Sequence, residues 1–252
     1  AVIPLRDRNP TTRTPYVTFL LIAANVAIFV LVQRGATAPG SDQAEFDYHY
    51  AAIPCEITSS HALTAQEVTA DRCERDPLRR GQPLFDDKRI YLSILVSMFL
   101  HGSWLHLGGN MLFLWIFGNN IEDKLGPLLY LAFYLTGGFV ATIAQTALDP
   151  GSVIPLIGAS GAIASVMGAY FIWFPKAPVL SLIFIFPVVI RARWLLGWWL
   201  ISQFFTSSNS GVAWMAHVGG FVFGALVALM VRDTQWWKRR AAPSLQYGYR
   251  YP

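Results

Sequence analysis

Three short runs in this sequence carry side chains able to act together: Gly158-Ala159-Ser160-Gly161, Ala216-His217-Val218-Gly219-Gly220, and His106-Leu107-Gly108-Gly109-Asn110. A serine beside a histidine makes an activated nucleophile, because the imidazole takes the hydroxyl proton as attack begins. Ser160 follows a break at Pro155, so it should lie in the first turn of a helix. There the backbone N–H groups lack intrahelical partners and the dipole favours negative charge, a setting for an oxyanion. His106 and Asn110 are four residues apart and share one helical face, which suits them to donate to that oxyanion. The Ser160 run is not the Gly-x-Ser-x-Gly elbow of soluble hydrolases, because a glycine follows the serine directly.

Each run also has a packing explanation. Small residues line the interfaces of membrane helices, and a lone membrane histidine often bridges two helices by a hydrogen bond. Ala216, Gly220 and Gly224 recur every fourth residue, and Gly161 and Gly168 offer the matching surface. The two explanations converge, since such packing would bring the Ser160 hydroxyl to the His217 ring. No carboxylate is placed to complete a triad: Glu122 and Asp123 sit at the opposite end, Asp149 sits in a turn, and a buried carboxylate is costly. A dyad is the expectation. His106 and Asn110 lack a clustered Cys/His/carboxylate set at zinc spacing, so neither metal nor other cofactor is expected. His101 is expected at the membrane interface.

The elements that must hold these residues are apolar helices. Of 252 residues 54% are hydrophobic and 13% charged, against roughly 25% charged in a soluble domain. Charge is absent in blocks: 14–33, 90–121, 125–148, 150–175 and 194–231 contain no Asp, Glu, Lys or Arg. A spanning helix needs about 20 such residues, whereas the strands of a membrane barrel alternate in polarity over about 10. The expected fold is therefore all-α, a polytopic membrane bundle. A net charge of +4 does not indicate nucleic acid, because the basic residues flank the apolar blocks and form no aromatic-interleaved patch.

Six spans are expected: Tyr16 to Gln33, about Trp104 to Ile121, Leu128 to Leu148, Gly158 to Phe174, about Val189 to Thr206, and Val212 to Val231. Arg6, Arg8 and Arg13 precede the first, while Arg232, Lys238, Arg239 and Arg240 follow the last. The positive-inside rule then puts both termini in the cytoplasm and requires an even number of spans. This divides the chain into a cytoplasmic segment 1–15, a membrane domain 16–232 and a basic tail 233–252. The segment 34–90 holds seven Lys/Arg against ten Asp/Glu and should form a large outer loop. Its Cys55 and Cys73 are the only cysteines; an oxidising compartment permits a disulfide between them, with two free thiols as the alternative. The run Val179 to Ile190 is too short to span and is expected at the cytoplasmic interface. The first apolar run has no small-residue cleavage site and should be a retained span.

The three runs, in this order on the second, fourth and sixth helices, resemble the signatures of the rhomboid family of intramembrane serine proteases over about Ile90 to Val231. Asn119 to Gly126 resembles the family's turn after its second helix. The resemblance implies a six-helix bundle that cleaves transmembrane substrates, with Ser160 as nucleophile and His217 as general base. Asn110, His106 and the Ser160 N–H would form the oxyanion hole. Two departures stand out: the Trp-Arg pair of the first outer loop is absent, and Ala164 stands where some members stack an aromatic on the histidine. The alternatives are a non-catalytic chaperone or adaptor that binds transmembrane segments, and a transporter with a polar midplane. Partners would be membrane-protein substrates and the lipid bilayer. The short stretch before the first span is not a typical Ser/Arg-rich presequence, which favours a bacterial plasma membrane.

Overall fold

A computed structural model describes residues 2–33, 43–206 and 212–232. Within them α1 (Tyr16–Ala27) continues as a π-helical turn, Ile28–Gln33. Three short helices follow, α2 (Gln43–Tyr50), α3 (Pro54–Ser59) and α4 (Ala65–Ala70), and then α5 (Ile90–Ser97). The bundle is completed by α6 (Trp104–Leu125), α7 (Pro127–Leu148), α8 (Ser160–Trp173), α9 (Ala192–Gln203) and α10 (Trp214–Arg232). The expected tail 233–252 and most of the loop after α9 lie outside the described residues.

Among the described residues three helical stretches are long and apolar enough to cross a membrane: Tyr16–Gln33, Pro127–Leu148 and Trp214–Val231. Helix α6 matches them in length but ends in the charged turn Glu122-Asp123-Lys124. Helix α8 has 14 residues, about 21 Å at 1.5 Å per residue, less than the roughly 30 Å hydrocarbon core. Every residue of α8 from Gly161 to Tyr170 is buried, so it forms the centre of the bundle.

The packing around α8 is set by glycine. A Cβ on Gly220 would run into the carbonyl oxygen of Gly161, one on Gly224 into that of Ser165, and one on Gly168 into that of Phe221. Helices α8 and α10 therefore touch backbone to backbone, as small-residue stripes allow. Gly137 and Gly219 let α7 in beside them, against Ser165 and Ala144.

The all-α expectation is corrected by a three-stranded antiparallel sheet in the order β1-β2-β3. Strand β1 (Val2–Asp7) pairs with β2 (Pro178–Ile183), and β2 with β3 (Phe186–Arg191), through a turn at Phe184, whose φ is 55°. The run Val179 to Ile190 is thus a hairpin, and the expected fifth span shortens to the helix α9, beginning at Ala192 rather than Val189. An apolar run of this length satisfies strand or helix equally; the pairing with β1 decides.

The N-terminal segment is tied to the same end of the bundle. Glu122 accepts the N–H groups of Val17 and Thr18 at 2.9 and 2.8 Å and the Thr18 hydroxyl at 2.8 Å. It caps α1, whose own N-terminal residue Pro15 supplies no side-chain cap. Asp7 accepts from Asn120 at 2.7 Å and from the Tyr170 hydroxyl at 2.9 Å.

Residues 43–90 lie at the other end. Cys55 and Cys73 are joined in a disulfide, around which Ile53, Leu63 and Val153 form a small separate core. The carboxylate of Glu67 completes a capping box with Thr64 and also accepts from the Glu74 N–H. Burial opposes its charge, yet the donors from Thr64, Glu74 and His61 together hold its carboxyl below the ordinary range. Lys88 and Glu56 form an ion pair that is almost wholly buried; burial pushes Glu56 up and Lys88 down, each countered by the other's charge.

Two predictions follow from these contacts. Gly224→Ala forces a methyl into backbone that cannot yield and should cost at least the 1–3 kcal/mol typical of overpacking, seen as a lower melting temperature in detergent. Gly109→Ala, with open space around it, should leave the melting temperature unchanged or raise it through helix propensity. The second concerns Asp7, whose carboxyl burial pushes up to about 6, against the hydrogen bonds from Tyr170 and Asn120. A carboxyl raised in the folded state is best accommodated below its ordinary 3.8, and the docking of β1 weakens as pH rises through about 6. Hydrogen exchange of residues 2–7 should accelerate beyond the intrinsic rate as pH rises from about 4 to about 6 and then level off, and Asp7→Asn should abolish that excess.

Candidate active site

Helices α6, α8 and α10 present their N-terminal ends at the same end of the bundle as residues 43–90. Ser160 is the first residue of α8. The turn before it is held from two sides: Ser97 accepts the Gly158 N–H on its carbonyl at 2.9 Å, and Leu156 pairs with Ala52. Cys55 N–H donates to Ser152 at 2.9 Å and the Thr58 hydroxyl to Pro150 at 2.8 Å, so the outer segment clamps the connection that delivers Ser160. Gly158 has φ +120°, which only glycine adopts readily.

His217 lies in the first turn of α10. Gln145 of α7 accepts the Met215 and Ala216 N–H groups at 3.1 and 3.3 Å and so caps that helix. Ser160 Oγ and His217 Nε2 are 2.8 Å apart, both half-buried. The close approach of Gly161 and Gly220, one turn or less from each residue, fixes this separation.

His106 and Asn110 occupy the first two turns of α6, where Ser103 caps the helix by accepting the His106 N–H at 3.1 Å. The Gly102 N–H donates to His106 Nδ1 at 3.4 Å. A ring nitrogen that accepts leaves the proton on the other, so Nε2 is the donor. A methyl at Gly158 would lie 2.8 Å from His106 Nε2 and 3.5 Å from Ser160 Oγ, so donor and hydroxyl face one spot. Asn110 is buried, and its Nδ2 has no hydrogen-bond partner among the described residues. An unpartnered buried donor costs about 1–3 kcal/mol, a cost retained where a ligand completes the bond.

His101 is fully buried within the protein, edge-on to Phe29 and beside His106 at 5.1 Å between ring centroids. Ser160 and His217 also do not stand alone. Gln203, at the end of α9, has its Oε1 2.7 Å from His217 Nδ1, and the Trp199 ring packs against the imidazole at 5.7 Å. These two lie four apart on one face of α9. Neither they nor Gln145 stand out by motif, though an uncharged polar side chain inside an apolar block is a signal available for both glutamines.

Cys55, His61 and Glu67 place potential ligand atoms within 4.8 Å of one another. They do not suit a metal, because the Cys55 sulfur is bonded to Cys73 and Glu67 is engaged by His61 at 3.0 Å and by Thr64.

Rhomboid protein 1, mitochondrial, of Saccharomyces cerevisiae is 32% identical over 148 residues, 54% of this chain and 40% of that protein. The human presenilin-associated rhomboid-like protein, mitochondrial, is 31% identical over 163 residues, 58% and 39% of the two chains. Rhomboid-related protein 2 of Mus musculus is 27% identical over 160 residues, 58% and 52%. The chain thus matches between about two fifths and half of the length of these relatives. The names of the first two are mitochondrial, so they lend no support to the expectation of a bacterial plasma membrane. The rhomboid domain model matches residues 88–234, which include all four candidate residues and more than half of the sequence, and this integral membrane protein belongs to the rhomboid family.

Proposed function

We propose that this protein is an intramembrane serine endopeptidase that hydrolyses peptide bonds in or next to the transmembrane helices of membrane-protein substrates. The observation that carries the proposal is the 2.8 Å contact between Ser160 Oγ and His217 Nε2, with His106 Nε2 facing the same spot as that hydroxyl. A packing histidine would need the contact; it would not need a second imidazole facing the hydroxyl.

Ser160 Oγ attacks the carbonyl carbon and passes its proton to His217 Nε2. The oxyanion that forms is held by the Ser160 N–H, Asn110 Nδ2 and His106 Nε2, donors already in place before reaction. The tetrahedral intermediate collapses by breaking the C–N bond, and the leaving amine takes the proton from His217. Water then attacks the acyl-enzyme with the same histidine as base. The shortness of α8 supports a site below the membrane surface, at the end of the bundle where residues 43–90 lie. A substrate helix must unwind there, so sequences with glycine, proline or small residues near that interface are the expected targets.

Six spans and cytoplasmic termini fit the basic residues at both ends, with the disulfide-bearing segment on the opposite, oxidising side. A bacterial plasma membrane meets that condition, and so does a mitochondrial inner membrane facing an oxidising space.

Ser160→Ala and His217→Ala should each abolish cleavage of a model transmembrane substrate in liposomes while the protein remains folded, and Ser160→Ala should lose labelling by a fluorophosphonate. Turnover near wild type in Ser160→Ala would sink the protease reading in favour of a binding role. Asn110→Ala should lower kcat by about 10² to 10³ with little change in KM, because its bond to the oxyanion forms mainly in the transition state. A large loss of melting temperature with intact kcat in the folded fraction would instead assign Asn110 to helix bridging.

A further inference from the structure

We propose that Gln203 is a positioning residue for His217, fixing through a neutral amide the tautomer that leaves Nε2 free to accept the Ser160 proton. The inference rests on the serine-protease reading and adds to it a third member.

The argument runs through groups whose hydrogen-bonding sense is not adjustable. The carbonyl oxygen of Trp199 can only accept, and it lies 3.0 Å from one terminal atom of the Gln203 amide, which must therefore be the nitrogen. The same nitrogen reaches the Ser202 hydroxyl at 3.2 Å, and that hydroxyl is itself spent on the Trp199 carbonyl at 2.6 Å. The other amide atom, 2.7 Å from His217 Nδ1, is then an oxygen and can only accept. Nδ1 must carry the proton. In a neutral imidazole the lone pair is left on Nε2, the atom 2.8 Å from Ser160 Oγ. A main-chain carbonyl of α9 thus dictates, through two side chains, which nitrogen of α10 acts as base on α8.

Gln203 is buried, and the Trp199 ring packs against the same imidazole at 5.7 Å, so the ring is held in plane and in rotation. A carboxylate at this position would also fix the tautomer, but it would bring a charge into an apolar interior at a cost the amide avoids. The amide keeps its bond when His217 becomes protonated, because Nδ1 donates in both states.

The test uses the full-length chain in detergent, comparing wild type, Gln203→Leu and Gln203→Glu. Gln203→Leu should slow fluorophosphonate labelling of Ser160 and lower kcat by about 10- to 100-fold, at most the bottom of the roughly 10² to 10⁴ that general-base catalysis supplies because the base itself remains, with KM little changed. Gln203→Glu keeps an oxygen acceptor at the same reach and should recover most of the rate. Independently of activity, the ¹⁵N spectrum of the His217 ring should show a single Nδ1-protonated tautomer in wild type and a mixture in Gln203→Leu. An unchanged ring spectrum, wild-type labelling in Gln203→Leu, or a loss confined to melting temperature would each overturn the inference. A wild-type protein whose Ser160 is never labelled, with the ring spectrum as expected, removes the protease reading while leaving the tautomer assignment intact.

Discussion

The direct backbone contact between α8 and α10 is the constraint on which the rest of this structure depends. Gly161 meets Gly220, Ser165 meets Gly224, and Gly168 meets Phe221, with no room for a Cβ at any of these glycines. Contacts of this kind interlock and admit only one register, since sliding either helix would drive a side chain into a carbonyl. The first of them lies one residue from Ser160 and three from His217. The helix register and the distance between hydroxyl and imidazole are therefore one quantity, and the reacting pair inherits the rigidity of the packing rather than that of a loop.

Around this contact, polar groups in apolar surroundings are answered by side chains from other elements. Glu122 of α6 caps α1, Gln145 of α7 caps α10, and Ser97 of α5 accepts from Gly158 while its hydroxyl accepts the Ala52 N–H at 2.6 Å. Where water is absent each such bond replaces a large desolvation cost, so these residues act as fasteners between helices that greasy surfaces alone would leave free to slide. Asn110 Nδ2 is left without such a partner among the described residues, as are the Tyr134 and Thr146 hydroxyls.

Much of this was legible in the sequence because it rests on local spacing. The stripe at Ala216, Gly220 and Gly224, the matching Gly161 and Gly168, and the shared face of His106 and Asn110 are all fixed by helical periodicity. The sheet was not legible, because Val179 to Ile190 becomes a hairpin edge only through pairing with residues 2–7, some 170 positions away. The burial of His101 was not legible either, because it is decided by Phe29 and His106 arriving from separate elements. Gln203 is illegible for a related reason: α9 runs opposite to α6, α8 and α10, so its last residue, not its first, reaches the site.

That antiparallel course has a consequence for the histidine. Helices α8 and α10 are locked by their glycines, whereas α9 meets them through side chains, with open space beside Gly197 apart from the Phe171 ring at 3.7 Å. The imidazole is thus held by one partner on a rigid element, Ser160, and by two on a less tightly joined one, Trp199 and Gln203. On the proposed function, a substrate helix that entered by displacing α9 would loosen the groups that orient His217, so binding and alignment would be coupled through one helix.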